Sequence, residues 1–134
     1  MTLLVDTSVW SVALCRDGTT THPEVRALSQ ALEGASTVVT TGLVLQELLQ
    51  GFNGARAATA IVSRFATLPI IAPDRTDHVA AAEIRNNCRR AGVQIGTIDA
   101  VLIQLCVRHD LILLTTDKDF FHAMKHVPFR LWHS

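Results

Sequence analysis

Two short apolar runs that never alternate with polar residues set the strongest constraint on the fold: Thr2-Leu3-Leu4-Val5 near the start and Leu111-Ile112-Leu113-Leu114 late in the chain. A strand without alternation is covered on both faces, which is the pattern of a central strand in a parallel α/β sheet. The first run stops at Asp6-Thr7-Ser8 and the second at Thr115-Thr116-Asp117. Sheets of this kind bind ligands beyond the carboxyl ends of their strands. Both aspartates are therefore expected along one edge.

The segments between these runs read as alternating helices and strands. Thr7 and Ser8 are good N-caps for a helix carrying Val9, Trp10, Val12 and Ala13, and residues 16–21 read as a loop. Pro23 and Glu24 open a second helix that Gly34 ends. A strand is expected at 37–40, then a helix capped by Thr41 in which Glu47 is the one acid, then a helix over 55–66. Residues 68–73 read as a short edge strand, because Pro69 and Pro73 cannot donate to a ladder. A long helix follows over 74–91 with Gly92 at its C-terminal cap, and another carries Asp99 in its first turn. A short helix beginning near Asp119 and a strand at 129–132 complete the pattern. The expectation is one α/β domain over residues 1–134, three layers deep (α/β/α), with a central, mainly parallel sheet.

Bulk properties narrow the partners. The 134 residues carry a formal net charge of zero, so a polyanion would need a local basic patch or bound metal to be held. No apolar run approaches the roughly 18 residues that span a bilayer, and the N-terminus has no basic lead-in to a secretory signal. Cys15, Cys88 and Cys106 lie in apolar helical patterns without metal-type spacing, and are expected as buried thiols in a reducing cytoplasm.

The chemistry is expected where acids gather. Asp6 and Asp117 end apolar strands, Asp99 lies in a first helical turn, and Glu47 interrupts an apolar helix. Taken singly, Asp6 has the lesser alternative of capping the helix that follows, and Glu47 reads equally as a solvent-facing side chain. Two unit charges about 5 Å apart repel by roughly 3 kcal/mol at an effective dielectric near 20. A cluster of four therefore calls for protonation or a cation, and oxygen-only ligands favour Mg²⁺ or Mn²⁺. No nucleophile elbow, glycine-rich phosphate loop or Cys-His motif occurs, which leaves metal-assisted hydrolysis. Arg85 and Arg89, four apart on one helix, read either as complements to its dipole or as phosphate ligands.

Four segments also resemble a known family: Val-Asp-Thr-Ser-Val-Trp at 5–10, Leu-Gln-Glu-Leu-Leu-Gln-Gly at 45–51, Arg-Arg-Ala-Gly-Val-Gln-Ile-Gly-Thr-Ile-Asp-Ala at 89–100 and Leu-Leu-Thr-Thr-Asp-Lys-Asp-Phe at 113–120. They are similar to the PIN-domain ribonucleases, and more narrowly to the VapC toxins of VapBC (type II) toxin–antitoxin pairs. The resemblance runs end to end. It implies a catalytic quartet of Asp6, Glu47, Asp99 and Asp117, with Asp6, Asp99, Asp117 and the accessory Asp119 as metal ligands. Thr7, Ser8 and Thr115 would be the nearby hydroxyls. It further implies a homodimer, a cognate VapB-type antitoxin, Mg²⁺ or Mn²⁺ as cofactor, and RNA products bearing a 5′-phosphate and a 3′-hydroxyl. Arg85, Arg89 and Lys118 are the candidates to hold the RNA backbone.

Three rival readings remain at this stage. A PIN-type nuclease could act on DNA or process RNA without a toxin role, and a catalytically silent copy could serve only to bind an antitoxin. A phosphoacceptor receiver would need a lysine at a later strand end, whereas Lys118 directly follows Asp117. That layout fails.

Overall fold

The computed structural model describes residues 1–15 and 22–134; the loop expected at 16–21 lies outside the described residues. Four strands, β1 (Thr2–Val5), β2 (Thr37–Val39), β3 (Ile112–Leu114) and β4 (Arg130–Leu131), form one sheet in the order β2-β1-β3-β4. Every pairing in it is parallel. Leu3, Leu4 and Val5 are all buried, so alternate side chains of β1 are covered on both faces of the sheet. Leu113 and Leu114 of β3 are likewise enclosed. The unalternating runs thus occupy the two central positions, as their pattern demands.

Seven helices cover this sheet among the described residues: α1 (Thr7–Ala13), α2 (Pro23–Gln30), α3 (Gly42–Gly51), α4 (Ala55–Phe65), α5 (Arg75–Arg90), α6 (Thr97–His109) and α7 (Lys118–Ala123). The α2 helix runs on into a single π turn, Ala31–Ala35, and the left-handed φ of Gly34 stops it. The start of α1 sinks Val9 and Trp10 into the core, where the Trp10 ring lies 4.8 Å from that of Phe65 in α4, tilted by 49°. Asp110, at φ 54°, takes the left-handed conformation that ends α6 and turns the chain into β3. Gly92, at φ 83°, follows α5 in the role its position suggests.

The α5 and α6 helices pack together more extensively than any other pair of elements. A buried carboxylate sits in their seam. Asp77 is fully enclosed, with Arg108 Nη1 at 3.0 Å and Gln104 Nε2 at 3.2 Å, both from α6. Asp77 also completes a capping box with Asp74, the Asp74 N–H donating to Asp77 Oδ2 at 2.9 Å and the Asp77 N–H to Asp74 Oδ1 at 2.9 Å. The Asp77 backbone N–H, and then the Arg108 guanidinium, hold the Asp74 carboxyl below its ordinary range.

Two sequence expectations are corrected. Residues 68–73 form no strand: a single parallel bridge joins Ile70 to Thr40 beside β2, through Thr40 N–H to Pro69 O and Ile71 N–H to Thr40 O. The flanking prolines lack the N–H groups to extend it. Cys15 lies just past the end of α1 and is exposed, whereas Cys88 and Cys106 are buried. The short helix expected near Asp119 is present and starts at Lys118, with the Asp117 side chain as its cap.

Candidate active site

The chain leaves β1 towards β2 on one side and later returns to place β3 on the other. The carboxyl ends of β1 and β3 therefore flank a topological switch point, where open α/β sheets form their binding crevices. Asp6 follows β1 directly, and the ladder continues past the strand ends through a 2.9 Å bond from Asp6 N–H to Leu114 O. That register sets Asp6 opposite Thr115.

Hydroxyls clasp the acid there. Asp6 is 6% exposed, and its Oδ2 accepts from Thr115 Oγ1 and from Ser8 Oγ, each at 2.8 Å. Asp6 occupies the N-cap position of α1 but makes no side-chain cap bond, so its carboxylate is turned to the crevice rather than to the helix. Ser8 Oγ also accepts from the Thr116 N–H at 3.1 Å, and Thr115 Oγ1 from the Asp117 N–H at 3.0 Å. The Thr-Thr-Asp turn after β3 is thereby fastened to the start of α1.

Glu47 reaches the same crevice from α3, where its Oε1 accepts from Thr7 Oγ1 at 2.9 Å. Asp99 arrives from the first turn of α6 and accepts the Gly96 N–H on Oδ2 at 3.2 Å. Burial first, and then the negative charges of Asp6, Asp117 and Glu47, push its pKa up to about 6 against the opposing Gly96 bond. Four acids from four elements thus share one electrostatic field.

They do not close on one another. Among the described residues no three His, Cys, Asp or Glu side chains stand near enough to hold a metal ion as placed. The donor set nonetheless fits a hard cation: it is all oxygen, and each acid has one oxygen fixed by a bond and the other unbonded among the described residues.

The remaining candidates are distributed around this centre. Asp117 Oδ1 accepts the Asp119 N–H at 2.9 Å, so it is Asp117 that caps α7. Asp119 is exposed and lines a neighbouring cleft with His122, Lys125 and His126. Arg85 is half-buried, donates from Nε to Ile95 O at 3.1 Å and faces a groove shared with Thr97 and Ala100 of the turn that carries Asp99. Arg89 points outward and bonds Asn86 Oδ1 at 3.0 Å. Lys118 lines a cleft of about 490 Å³ that includes Thr115, Thr116 and Asp117. Glu24, Phe121 and Trp132 line the same cleft, although their sequence context reads only as helix start, helix and strand.

A profile of the PIN domain matches residues 3–126. The chain belongs to the PIN-domain family. Solved structures similar to this PIN domain include VapBC2 from Rickettsia felis bound to a DNA fragment from their promoter, at 18% identity and a TM-score of 0.74, covering 99% of this chain and 100% of that one. VapC20 from Mycobacterium tuberculosis, described as a sarcin–ricin loop cleaving toxin, is 23% identical with a TM-score of 0.73, covering 98% of this chain and 99% of that one. VapBC-1 from nontypeable Haemophilus influenzae is 15% identical with a TM-score of 0.73, covering 98% of each chain. These likenesses show a shared fold, and the expected kinship with VapC is met at that level. No curated protein matches the sequence significantly.

Proposed function

We propose that this PIN domain is a divalent-cation-dependent endoribonuclease and the toxin half of a type II toxin–antitoxin pair. The observation that carries the reading is the convergence of Asp6, Glu47, Asp99 and Asp117 at the switch point, close enough that three of them raise the pKa of the fourth. The similar structures from Rickettsia felis and Haemophilus influenzae are VapBC structures, and the one from Mycobacterium tuberculosis is described as a sarcin–ricin loop cleaving toxin, which supports both halves of the proposal. A VapB-type antitoxin and a second copy of the chain are its proposed protein partners.

Asp6, Asp99 and Asp117 would hold Mg²⁺ or Mn²⁺ through their unbonded oxygens, with Asp119 as an outer acid. The ion supplies a more acidic bound water and a counter-charge for the scissile phosphate. The chain itself does the positioning. Ser8 and Thr115 fix the Asp6 carboxylate, Thr7 fixes Glu47, and Gly96 fixes Asp99. Glu47 is then oriented to take a proton on Oε2 from the water that attacks phosphorus. The bond from phosphorus to O3′ breaks and that oxygen gains a proton, leaving a 5′-phosphate and a 3′-hydroxyl. Lys118 and Arg85 flank the centre and are proposed to hold the RNA backbone.

Incubation of the purified chain with total cellular RNA and Mg²⁺ or Mn²⁺ tests the reading, beside EDTA and the Asp6→Asn variant. Discrete cuts lost in both controls are expected. Intact RNA from a folded, antitoxin-free chain supplied with either ion would sink the proposal.

A further inference from the structure

A formal net charge of zero hides a local surplus of cations around α7. The chain has 12 Lys and Arg against 12 Asp and Glu, yet among the described residues only Arg108 and Arg130 pair with a carboxylate. Lys118 at the start of α7, Lys125 just past its end, and Arg89 and Arg90 in the last turn of α5 have no acid partner there. The two arginines bond Asn86 and Asn87, and Lys125 Nζ lies 5.7 Å from the centroid of the Phe121 ring. Uncompensated cations clustered on one side of a neutral chain raise the local concentration of polyanions.

A cleft of about 560 Å³ lies among these groups. One wall is the turn over residues 91–94 between α5 and α6, and the other is formed by Asp119, His122, Lys125 and His126. The turn closes α5 through Gly92 N–H to Arg89 O at 3.0 Å and Val93 N–H to Cys88 O at 2.8 Å. Gln94, which follows, is exposed, and neither its backbone N–H nor its side-chain amide is bonded among the described residues. The cleft thus offers the Lys125 ammonium, the Gln94 amides and at least one N–H from each imidazole. It also adjoins the acid centre. His122 lines both this cleft and the one that holds Asp117 and Lys118, and the Asp119 N–H donates to Asp117 Oδ1 at 2.9 Å.

Proteins hold single-stranded nucleic acid in positively charged grooves that meet successive backbone phosphates. A strand whose scissile phosphate sits at the four acids passes Lys118, next to Asp117, before it reaches Lys125 two helical turns further along the chain. An acidic peptide would suit the same cations, but only a strand bound for cleavage is brought to the acid centre with its next phosphates delivered here. We propose that the cleft between α7 and the α5–α6 turn binds the substrate backbone beyond the cut, with Lys125, Gln94 and His126 as donors. The inference rests on the ribonuclease reading and deepens it. The preferred substrate is a single strand long enough to reach from Asp117 to Lys125.

The test is a fluorescence-anisotropy titration of labelled tetrauridylate and decauridylate in Mg²⁺, using the Asp99→Asn chain so that neither is consumed. The decamer is expected to bind about tenfold more tightly than the tetramer, through the phosphates that only it brings to the cleft. Adding Lys125→Gln should remove most of that advantage and lower the decamer's slope of log K against log salt by about 0.7, the single-strand value for one phosphate. Lys125→Arg should keep both. A ratio between two ligands of one chain does not move when a change merely loosens the fold. An unaltered length ratio and salt slope in Lys125→Gln overturns the cleft. So does a labelled decaglutamate that binds as tightly as the decamer and is lost with the same change, which would make the cleft a peptide surface. Digestion of total RNA by the unaltered chain reads the enzymatic assignment separately: cutting without a length ratio removes only the cleft, and a length ratio without cutting removes only the nuclease.

Discussion

Thr115 Oγ1 donates to Asp6 Oδ2 at 2.8 Å, joining residues 109 positions apart across the ends of two parallel strands. Ser8 binds the same oxygen at 2.8 Å. The pair fixes which oxygen of Asp6 stays open. Outer partners of this type typically contribute about 10–100-fold to metal affinity or activity. Thr115→Val is accordingly expected to lower cleavage by about that factor and to weaken Mn²⁺ binding in calorimetry, whereas Thr115→Ser keeps the hydroxyl and most of the activity. Unchanged Mn²⁺ affinity in Thr115→Val would detach this hydroxyl from the site.

The raised pKa of Asp99 makes two opposite demands on pH. Its folded value of about 6 lies above the ordinary 3.8, so the folded chain keeps a proton that the unfolded chain releases between those values. The stability tied to this group is fully present below about pH 4 and lost as pH rises through about 6. In EDTA, Asp99→Asn should raise the Tm at pH 7.5 and change it little at pH 4.5. A gain of equal size at both pH values would contradict burial of a charge.

Cation binding runs the other way, since the ligand must be ionised. With a pKa of about 6, roughly a tenth of Asp99 is ionised at pH 5 and roughly nine-tenths at pH 7. Half-saturation by Mn²⁺ should therefore need about tenfold more ion at pH 5 than at pH 7, read from the shift in Tm on titration. A pH-independent midpoint would remove Asp99 from the ligand set.

The sheet was legible because its central strands are apolar on both faces, and two of the four acids because they end those strands. Asp99 and Glu47 were weaker signals, as a first-turn acid and the one acid of an apolar helix, because a carboxylate on a helix reads the same whether it faces solvent or a crevice; the resemblance added weight to both. The buried Asp77 left no trace, since its spacing from Asp74 suggests an exposed capping box and its partners Gln104 and Arg108 lie on another helix. Glu24 and Trp132 were unreadable for a similar reason. Nothing local shows that the start of α2 and the end of β4 line one cleft with Asp117.

The two basic candidates nearest the site should behave differently. Lys118 is exposed and makes no described bond within the fold, so Lys118→Ala should weaken RNA binding, reduce the slope of log K against log salt by about 0.7, and leave the Tm unchanged. Arg85 also ties α5 to Ile95 O just ahead of α6. Arg85→Ala should lower both the RNA affinity and the Tm. A lowered Tm with an unaltered salt slope would make Arg85 purely structural.

Thiol chemistry should separate the cysteines by burial. Burial raises the Cys88 thiol and pushes Cys106 up to about 12, so neither supplies thiolate near neutrality, while Cys15 is exposed. A chromogenic disulfide reagent at pH 8 should label one thiol rapidly in the native chain and three after denaturation. Rapid native labelling of Cys106 would show that the packing of α6 opens.

The Asp77 seam offers the sharpest test of what holds the acid-bearing helix in place. Arg108 is about a third exposed and serves both Asp74 and the enclosed Asp77, so its loss strands a buried carboxylate rather than simply removing an attraction. Breaking one side of such a pair costs about 3–5 kcal/mol when both partners are buried, and about 2–3 kcal/mol is expected with Arg108 part-solvated. Arg108→Met should thus lower the Tm by roughly 6–15 °C in a domain of this size. Combining it with Asp77→Asn, which removes the charge and keeps one acceptor oxygen, for either the Asp74 N–H or Gln104, should restore part of the loss. If the double variant is as unstable as Arg108→Met alone, the cost lies in the packing of the arginine stem and not in the orphaned charge. Because α6 presents Asp99 from its first turn and Arg108 from its last, the same titrations of Mn²⁺ on these variants would report whether that anchoring reaches the catalytic end of the helix.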